Sequence, residues 1–184
     1  MTETEEAALM ARVAAGDEAA FRCLAEAQLA RVLALARRML GVSAEAEDVA
    51  QEVLLRLWRH AGRWQAERGR VATWLYAITA RLCLDRLRGA QSAAPEEALA
   101  ATPDPAPDAL ADLQAREEQA RVGAAVGALP PRQRAALALF YYEGLDGEAA
   151  AQALGLRPRA FWSLLHRARL GVRQGLVGRE GEDP

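Results

Sequence analysis

The stretch from Asp146 to Gln174, DGEAAAQALGLRPRAFWSLLHRARLGVRQ, decides how the rest of the chain is read. Its pattern predicts two helices joined by a tight turn. A helix-turn-helix needs a small residue where its helices touch, a flexible residue in the turn, and apolar residues on the inner side of the second helix. Ala151, then Gly155 flanked by Leu154 and Leu156, then Phe161, Leu164 and Leu165 meet those needs in order. Gly155 can adopt the positive φ that ends the first helix, and Pro158 suits the first turn of the second, where its missing N–H would have no partner. With Phe161, Leu164, Leu165 and Ala168 inward, the other face carries Arg157, Arg159, Trp162, Ser163, His166, Arg167 and Arg169. From Arg157 to Arg173 there are five Arg and no acid. Guanidinium groups make paired hydrogen bonds to guanine edges and phosphates, so this face suits the major groove of duplex DNA. The alternative is a basic solvated helix on a small domain.

Just upstream, Leu129-Pro130-Pro131 breaks a helix expected from about Ala109 to Ala128, and Arg132 to Glu143 is expected to form the helix leading through Gly144 into the turn. Past Gly175 the short tail is expected to fray. Farther upstream, residues 89–118 change character: Pro95, Pro103, Pro105 and Pro107 forbid continuous helix, and seven acids face one Arg. That composition predicts an extended acidic linker between two lobes.

Composition sets the outer limits. The chain has 184 residues, enough for one ordinary domain or two small ones, and all 23 basic residues are Arg. Abundant Ala predicts an all-α protein. The net charge of −2 hides a pattern, because residues 1–88 carry 13 Arg against 12 acids and residues 119–184 carry 9 against 6. Cys23 and Cys83 stand far apart among apolar or helical neighbours and are expected to be buried thiols, with no close Cys/His pairing of the kind that holds zinc. No cofactor or metal is expected. Neither a signal-peptide layout nor an apolar run of membrane-spanning length is present, so no membrane insertion and a cytoplasmic location are expected.

In the N-terminal half, Gly16-Asp17 reads as a stop and a new start. Phe21, Leu24, Val32, Leu33, Leu35, Ala36, Met39 and Leu40 then recur at helical spacing as far as Gly41. Ser43 is placed to cap the next helix, and Glu45, Glu47 and Asp48 load its positive end with negative charge. In that helix Val49, Val53, Leu54, Leu57 and Trp58 share one face, while Asp48, Gln51, Glu52, Leu55, Arg56 and Arg59 form another. A bare Leu among polar residues suits a protein partner, and an ordinary solvated face is the open alternative. Trp64 to Gly69 is a polar break. Val71 to Arg88 resumes helix, with Val71, Leu75, Ile78 and Leu82 as the expected buried stripe and Trp74, Arg81 and Arg88 in line seven residues apart. Between Val53 and Arg88 eight Arg stand against two acids. Arg interleaved with Trp58, Trp64, Trp74 and Tyr76 suits single-stranded DNA, whose phosphates and unpaired bases those groups can meet; the rings can equally be core.

Three segments in order then match one family. EAEDVAQEVLLRLWR, VATWLYAITARLCLDRLR and LPPRQRAALALFYYEGLDGEAAAQALGLRPRAFWSLLHRAR resemble the polymerase-binding helix, the −10 segment and the −35 region of bacterial extracytoplasmic-function (ECF) sigma factors, over roughly residues 15–90 and 115–175. The resemblance implies a region 2 helical bundle at 1–90, a linker at 91–114 that threads the polymerase's RNA path, and a region 4 helix-turn-helix at 115–178. It implies that Asp48, Gln51, Glu52, Leu55 and Arg59 dock on the β′ clamp helices of core RNA polymerase, with region 4 on the β flap. Trp64, Arg70, Trp74, Arg81, Asp85, Arg86 and Arg88 would meet the melted −10 element of promoter DNA, the loop from Trp64 to Arg70 helping to hold an extruded base. Arg157, Arg159, Trp162, Ser163, His166, Arg167 and Arg169 would meet the −35 duplex. An anti-sigma factor is implied by the resemblance alone. The sequence departs from the family pattern at Arg81, where Asn is frequent, at Ala80, where Arg is common, and at Phe161-Trp162.

Two other functional classes compete on the residues. A helix-turn-helix regulator acting on duplex DNA without polymerase accounts for residues 129–175 and leaves the Asp48 to Arg59 face unused. A small helical enzyme finds no support in His60 and His166, which have no convincing acid, Cys or Ser partner nearby in sequence, nor in any glycine-rich phosphate loop.

Overall fold

A computed structural model describes residues 1–93 and 110–180, and within them every regular element is helical. Helices α1 (Glu3–Ala14), α2 (Glu18–Leu40), α3 (Ala44–His60) and α4 (Val71–Ala93) form the first lobe, with two single 3-10 turns, Ala61–Arg63 and Ala66–Arg68, between α3 and α4. The second lobe holds α5 (Leu110–Gly127), α6 (Pro131–Leu137) prolonged by a π-helical turn (Ala138–Tyr142), α7 (Gly147–Ala153) and α8 (Pro158–Glu180). Most of the expected linker lies outside the described residues.

Local chemistry explains the boundaries. The first helix, whose stop was expected at Gly16-Asp17 but whose start was not placed, is fixed by a capping box: Glu5 N donates to Thr2 Oγ1 at 3.3 Å and Thr2 N donates to Glu5 Oε2 at 2.7 Å. The Asp17 carboxylate accepts from Ala19 N and Ala20 N at 2.9 and 3.1 Å and starts α2. Ser43 does occupy the N-cap of α3 but makes no capping bond, and its Oγ is buried without a partner. The early acids Glu45 and Glu47 therefore supply what favours that helix end.

Helix α2 is the axis of the first lobe. Its Leu24, Val32, Leu35 and Met39 are sealed against Val49, Val53 and Leu57 of α3 and Val71 and Leu75 of α4. Each such side chain contributes about 1.5–3 kcal/mol by leaving water. The buried side of α4 is wider than expected. Tyr76, Thr79, Ala80 and Cys83 are fully enclosed, while Ile78 and Leu82 are half-buried, because α4 is covered by α2 and α3 on one side and by α7 on another. One of the two thiols departs from expectation: Cys23 is exposed on α2, its apolar neighbours facing the other way, and only Cys83 is buried.

The helix-turn-helix forms as its sequence dictates. Gly155 has φ of 63°, a backbone state that side chains other than glycine's rarely take, and Pro158 is the first residue of α8. Phe161, Leu165 and Ala168 are fully buried and Leu164 partly so. The buried side chains of both lobes form one continuous cluster, with α4 against α7, and α2 against α6 and the π turn. Arg134 ties the lobes at their base. Its Nη1 donates to the Met39 carbonyl at 2.7 Å, and its Nη2 donates to the carbonyls of Leu129, at 3.3 Å, and Gly127. Burial pulls its pKa below the ordinary guanidinium value.

Candidate nucleic-acid interface

The exposed side of α8 gathers five of the seven residues expected there. Arg159, Trp162, Ser163, His166 and Arg167 line one open surface. Ser163 Oγ donates to the Arg159 carbonyl at 3.0 Å and Arg167 Nε to the Ser163 carbonyl at 3.3 Å, which lays both side chains along the helix. Arg157 is exposed at the N-terminal edge of this surface, its carbonyl accepting from Ala160 N and Phe161 N. Arg169 is turned elsewhere, with its guanidinium 5.4 Å from the Tyr141 ring centre and 6.0 Å from that of Phe140. There it lines an apolar groove of about 350 Å³ with Val122, Val126, Leu137, Tyr141, Tyr142, Val172, Arg173 and Leu176. Sequence reasoning missed this groove. The available signal was the run Phe140-Tyr141-Tyr142 at a helix end, where Tyr141 and Tyr142 are half-exposed.

A second surface lies on the first lobe. Asp48, Gln51, Glu52 and Leu55 line a shallow depression of about 410 Å³ together with Arg56, Leu82 and Arg86. Leu55 is 46% exposed, the one large apolar side chain of α3 so presented. Arg56 Nε donates to Glu52 at 2.8 Å, and that bond, chiefly, holds the Glu52 carboxyl below its usual range. Arg59 is exposed on the same helix outside the depression. Arg86, expected with the −10 set, instead reaches α3: it lies 3.7 Å from Asp48 and donates to the Glu45 carbonyl at 3.4 Å.

The remaining −10 candidates divide into a pocket and a ridge. Trp64 and Trp74, with Arg63, Gln65, Gly69, Thr73 and Ala77, line a pocket of about 170 Å³ whose far wall is Gln152 and Ala153 of α7. Trp64 Nε1 is buried without a hydrogen-bond partner. Arg81, Asp85 and Arg88 are exposed along α4, with Asp85 paired to Arg88. Arg70 stands at the rim of the neighbouring cleft and pairs with Glu3 at 3.3 Å.

That cleft is where the lobes meet through charge. Glu143, whose side chain is only 7% exposed, accepts from Arg38 Nη1 at 3.0 Å, and the Tyr76 hydroxyl faces Glu143 and Arg31. Burial, and then the Glu143 carboxylate, push the Tyr76 pKa up to about 12. Arg38 also lies over the Tyr142 ring at 4.5 Å. Among the described residues no three His, Cys, Asp or Glu side chains gather as metal ligands do, and no helix is long and apolar enough to cross a membrane.

Comparison with known proteins follows the same division. Residues 24–93 match the family Sigma-70 region 2 and residues 119–170 match Sigma-70, region 4. The ECF RNA polymerase sigma factor SigK of Mycobacterium tuberculosis is 37% identical over 141 residues, covering 75% of each chain. SigK of Mycobacterium sp. (strain KMS) is 34% identical over 168 residues, 90% of this chain and 86% of that one. In fold, the chain is similar to CnrH in complex with the cytosolic domain of CnrY, at a TM-score of 0.67 and 24% identity over 97% of this chain and 99% of that one. It is likewise similar to the sigma factor RpoE of Bartonella quintana, bound to the anti-sigma factor NepR, at a TM-score of 0.67 and 22% identity over 85% and 96%.

Proposed function

This chain belongs to the ECF RNA polymerase sigma factors, and we propose that it divides promoter recognition between its two lobes along the surfaces just described. It binds core RNA polymerase, directs it to promoter DNA and assists melting. The depression around Leu55 docks on the β′ clamp helices, Leu55 supplying apolar contact inside a rim of Asp48, Gln51 and Glu52 that fixes orientation. The apolar groove beside Tyr141 and Tyr142 is the seat for the β flap. Helix α8 enters the −35 major groove with Arg159, Ser163, His166 and Arg167, and Arg157 meets the flanking phosphates.

At the −10 element, Arg81 and Arg88 follow the separated strand while the Trp64–Trp74 pocket takes an unstacked base. The buried, unpartnered Trp64 Nε1 offers that base a hydrogen bond. Because Gln152 and Ala153 wall the pocket, the lobes part before a base enters. The site of action is the cytoplasm, and an anti-sigma factor, as for RpoE with NepR, is a partner.

The observation that carries this reading is the coexistence, on one chain, of the α8 face and the separate Leu55 depression, which a regulator of duplex DNA alone does not need. Footprinting tests it. Protection of promoter DNA that requires core polymerase supports the sigma reading; equal protection by the free protein supports the regulator instead.

A further inference from the structure

The α8 surface contains one side chain that its basic neighbours do not explain. Trp162 is 46% exposed among Arg159, Ser163, His166 and Arg167, all of them polar. Yet its ring is fixed. A Cβ on Gly147 would lie 2.4 Å from Trp162 Cζ2 and 2.8 Å from Cε2, so the indole is seated on the first residue of α7, where only glycine leaves room. Phe140 meets it edge-to-face at 5.5 Å and Phe161 at 5.7 Å. Two aromatic neighbours and a glycine seat thus hold an apolar plate half out of the protein, at the fifth residue of α8.

Residues near the start of a recognition helix are those that reach base edges. The major groove shows donors and acceptors from every base pair and one apolar group, the C5-methyl of thymine. A rigid indole surrounded by Arg has little to offer guanine or phosphate that Arg159 and Arg167 do not offer better, whereas a methyl group finds in it the one aromatic surface among these polar side chains. We propose that Trp162 is a specificity-determining residue that reads a thymine methyl in the −35 element, with Gly147 and Phe140 as positioning residues that hold the ring in place. This rests on the assignment of α8 to the −35 duplex.

The test uses holoenzyme and a promoter duplex that it transcribes, with each −35 thymine replaced in turn by deoxyuridine, which lacks only the methyl. One position should weaken wild-type binding about 3–5-fold, the worth of one buried methyl group. Trp162→Ala holoenzyme should bind the thymine and deoxyuridine forms of that position alike, and Gly147→Ala, which unseats the ring, should lose most of the discrimination. Arg159→Ala should weaken both forms equally. Absence of any deoxyuridine effect in wild type, its persistence in Trp162→Ala, or a −35 element without thymine overturns the proposal. If Arg159→Ala nevertheless weakens binding, the thymine assignment alone falls; if it too is without effect, the α8 assignment falls with it.

Discussion

Glu143→Gln should loosen the lobes and uncover the base pocket. The carboxylate is almost fully enclosed and accepts from Arg38 at 3.0 Å, with the Tyr76 hydroxyl and Arg31 nearby. A charge-assisted bond of this kind is worth about 1.5–3 kcal/mol net. The Arg38 side chain is 38% exposed, however, so solvent screens it and the lower part of that range applies. Glutamine keeps the shape and an acceptor oxygen and removes the charge. A loss of about 1–2 kcal/mol of lobe docking follows, which shifts the closed-to-open ratio about 5–30-fold. The exposed thiol of Cys23 on α2 and a second label at Gln174→Cys on α8 report lobe separation by single-molecule energy transfer, and buried Cys83 stays unlabelled in the native protein. Binding of single-stranded −10 DNA by the free protein should tighten by up to the same factor, since only the open form accepts a base. Arg38→Ala combined with Glu143→Gln should be no worse than the stronger single change. Identical distance distributions in wild type and Glu143→Gln, or full additivity of the two changes, would refute the assignment of this pair as one of the contacts that hold the lobes closed.

Gln51→Arg with Leu55→Arg should abolish co-purification with core polymerase, a loss of ~10-fold or more in affinity, with circular dichroism unchanged because both side chains are exposed. Arg157→Ala with Arg159→Ala should reduce promoter binding about 5–100-fold and flatten its salt dependence while holoenzyme still forms; gel filtration with core and a salt titration separate the two effects. Stability should hold up to about pH 9 and fall between 9 and 12. Burial raises the Cys83 thiol from 9.0 to about 12 and Tyr76 from 10.0 to about 12, so the unfolded chain loses these protons first and pulls the equilibrium its way. Urea midpoints across that range check this, and Cys83→Ala should shrink the fall below pH 10; in the native protein at pH 8 a thiol reagent should modify one cysteine of the two.

What the sequence made legible was whatever is encoded by neighbours along the chain. Gly155, Pro158, Phe161, Leu165 and Ala168 announce the helix-turn-helix because turn chemistry and a 3.6-residue period act within a few residues, and the same holds for Asp17 and the α2 stripe. Helix α1 is equally readable from Thr2 and Glu5, whose capping box lies within three residues of the chain. The contacts between lobes were not readable. Arg38 meets Glu143 across 105 residues and Arg134 meets Met39 across 95, and no local pattern marks either pair. For the same reason the inward side of α4 came out too narrow: Tyr76, Thr79 and Cys83 are buried by α7 and α2 together, and a single-helix stripe assumes one partner. Arg86 and Arg169 show the limit for site residues. Helical spacing puts them near the DNA sets, but long side chains turn toward the nearest favourable group, Asp48 and the Glu45 carbonyl for one and the Tyr141 ring for the other.

The central claim is that this chain gives core polymerase a promoter preference through two separate surfaces. Run-off transcription with purified core RNA polymerase on a pool of genomic promoter fragments, with and without the protein, tests it most directly. Discrete new transcripts that appear only with the protein, and disappear with Gln51→Arg and Leu55→Arg, are predicted. An unchanged transcript pattern together with no binding to core would contradict the account.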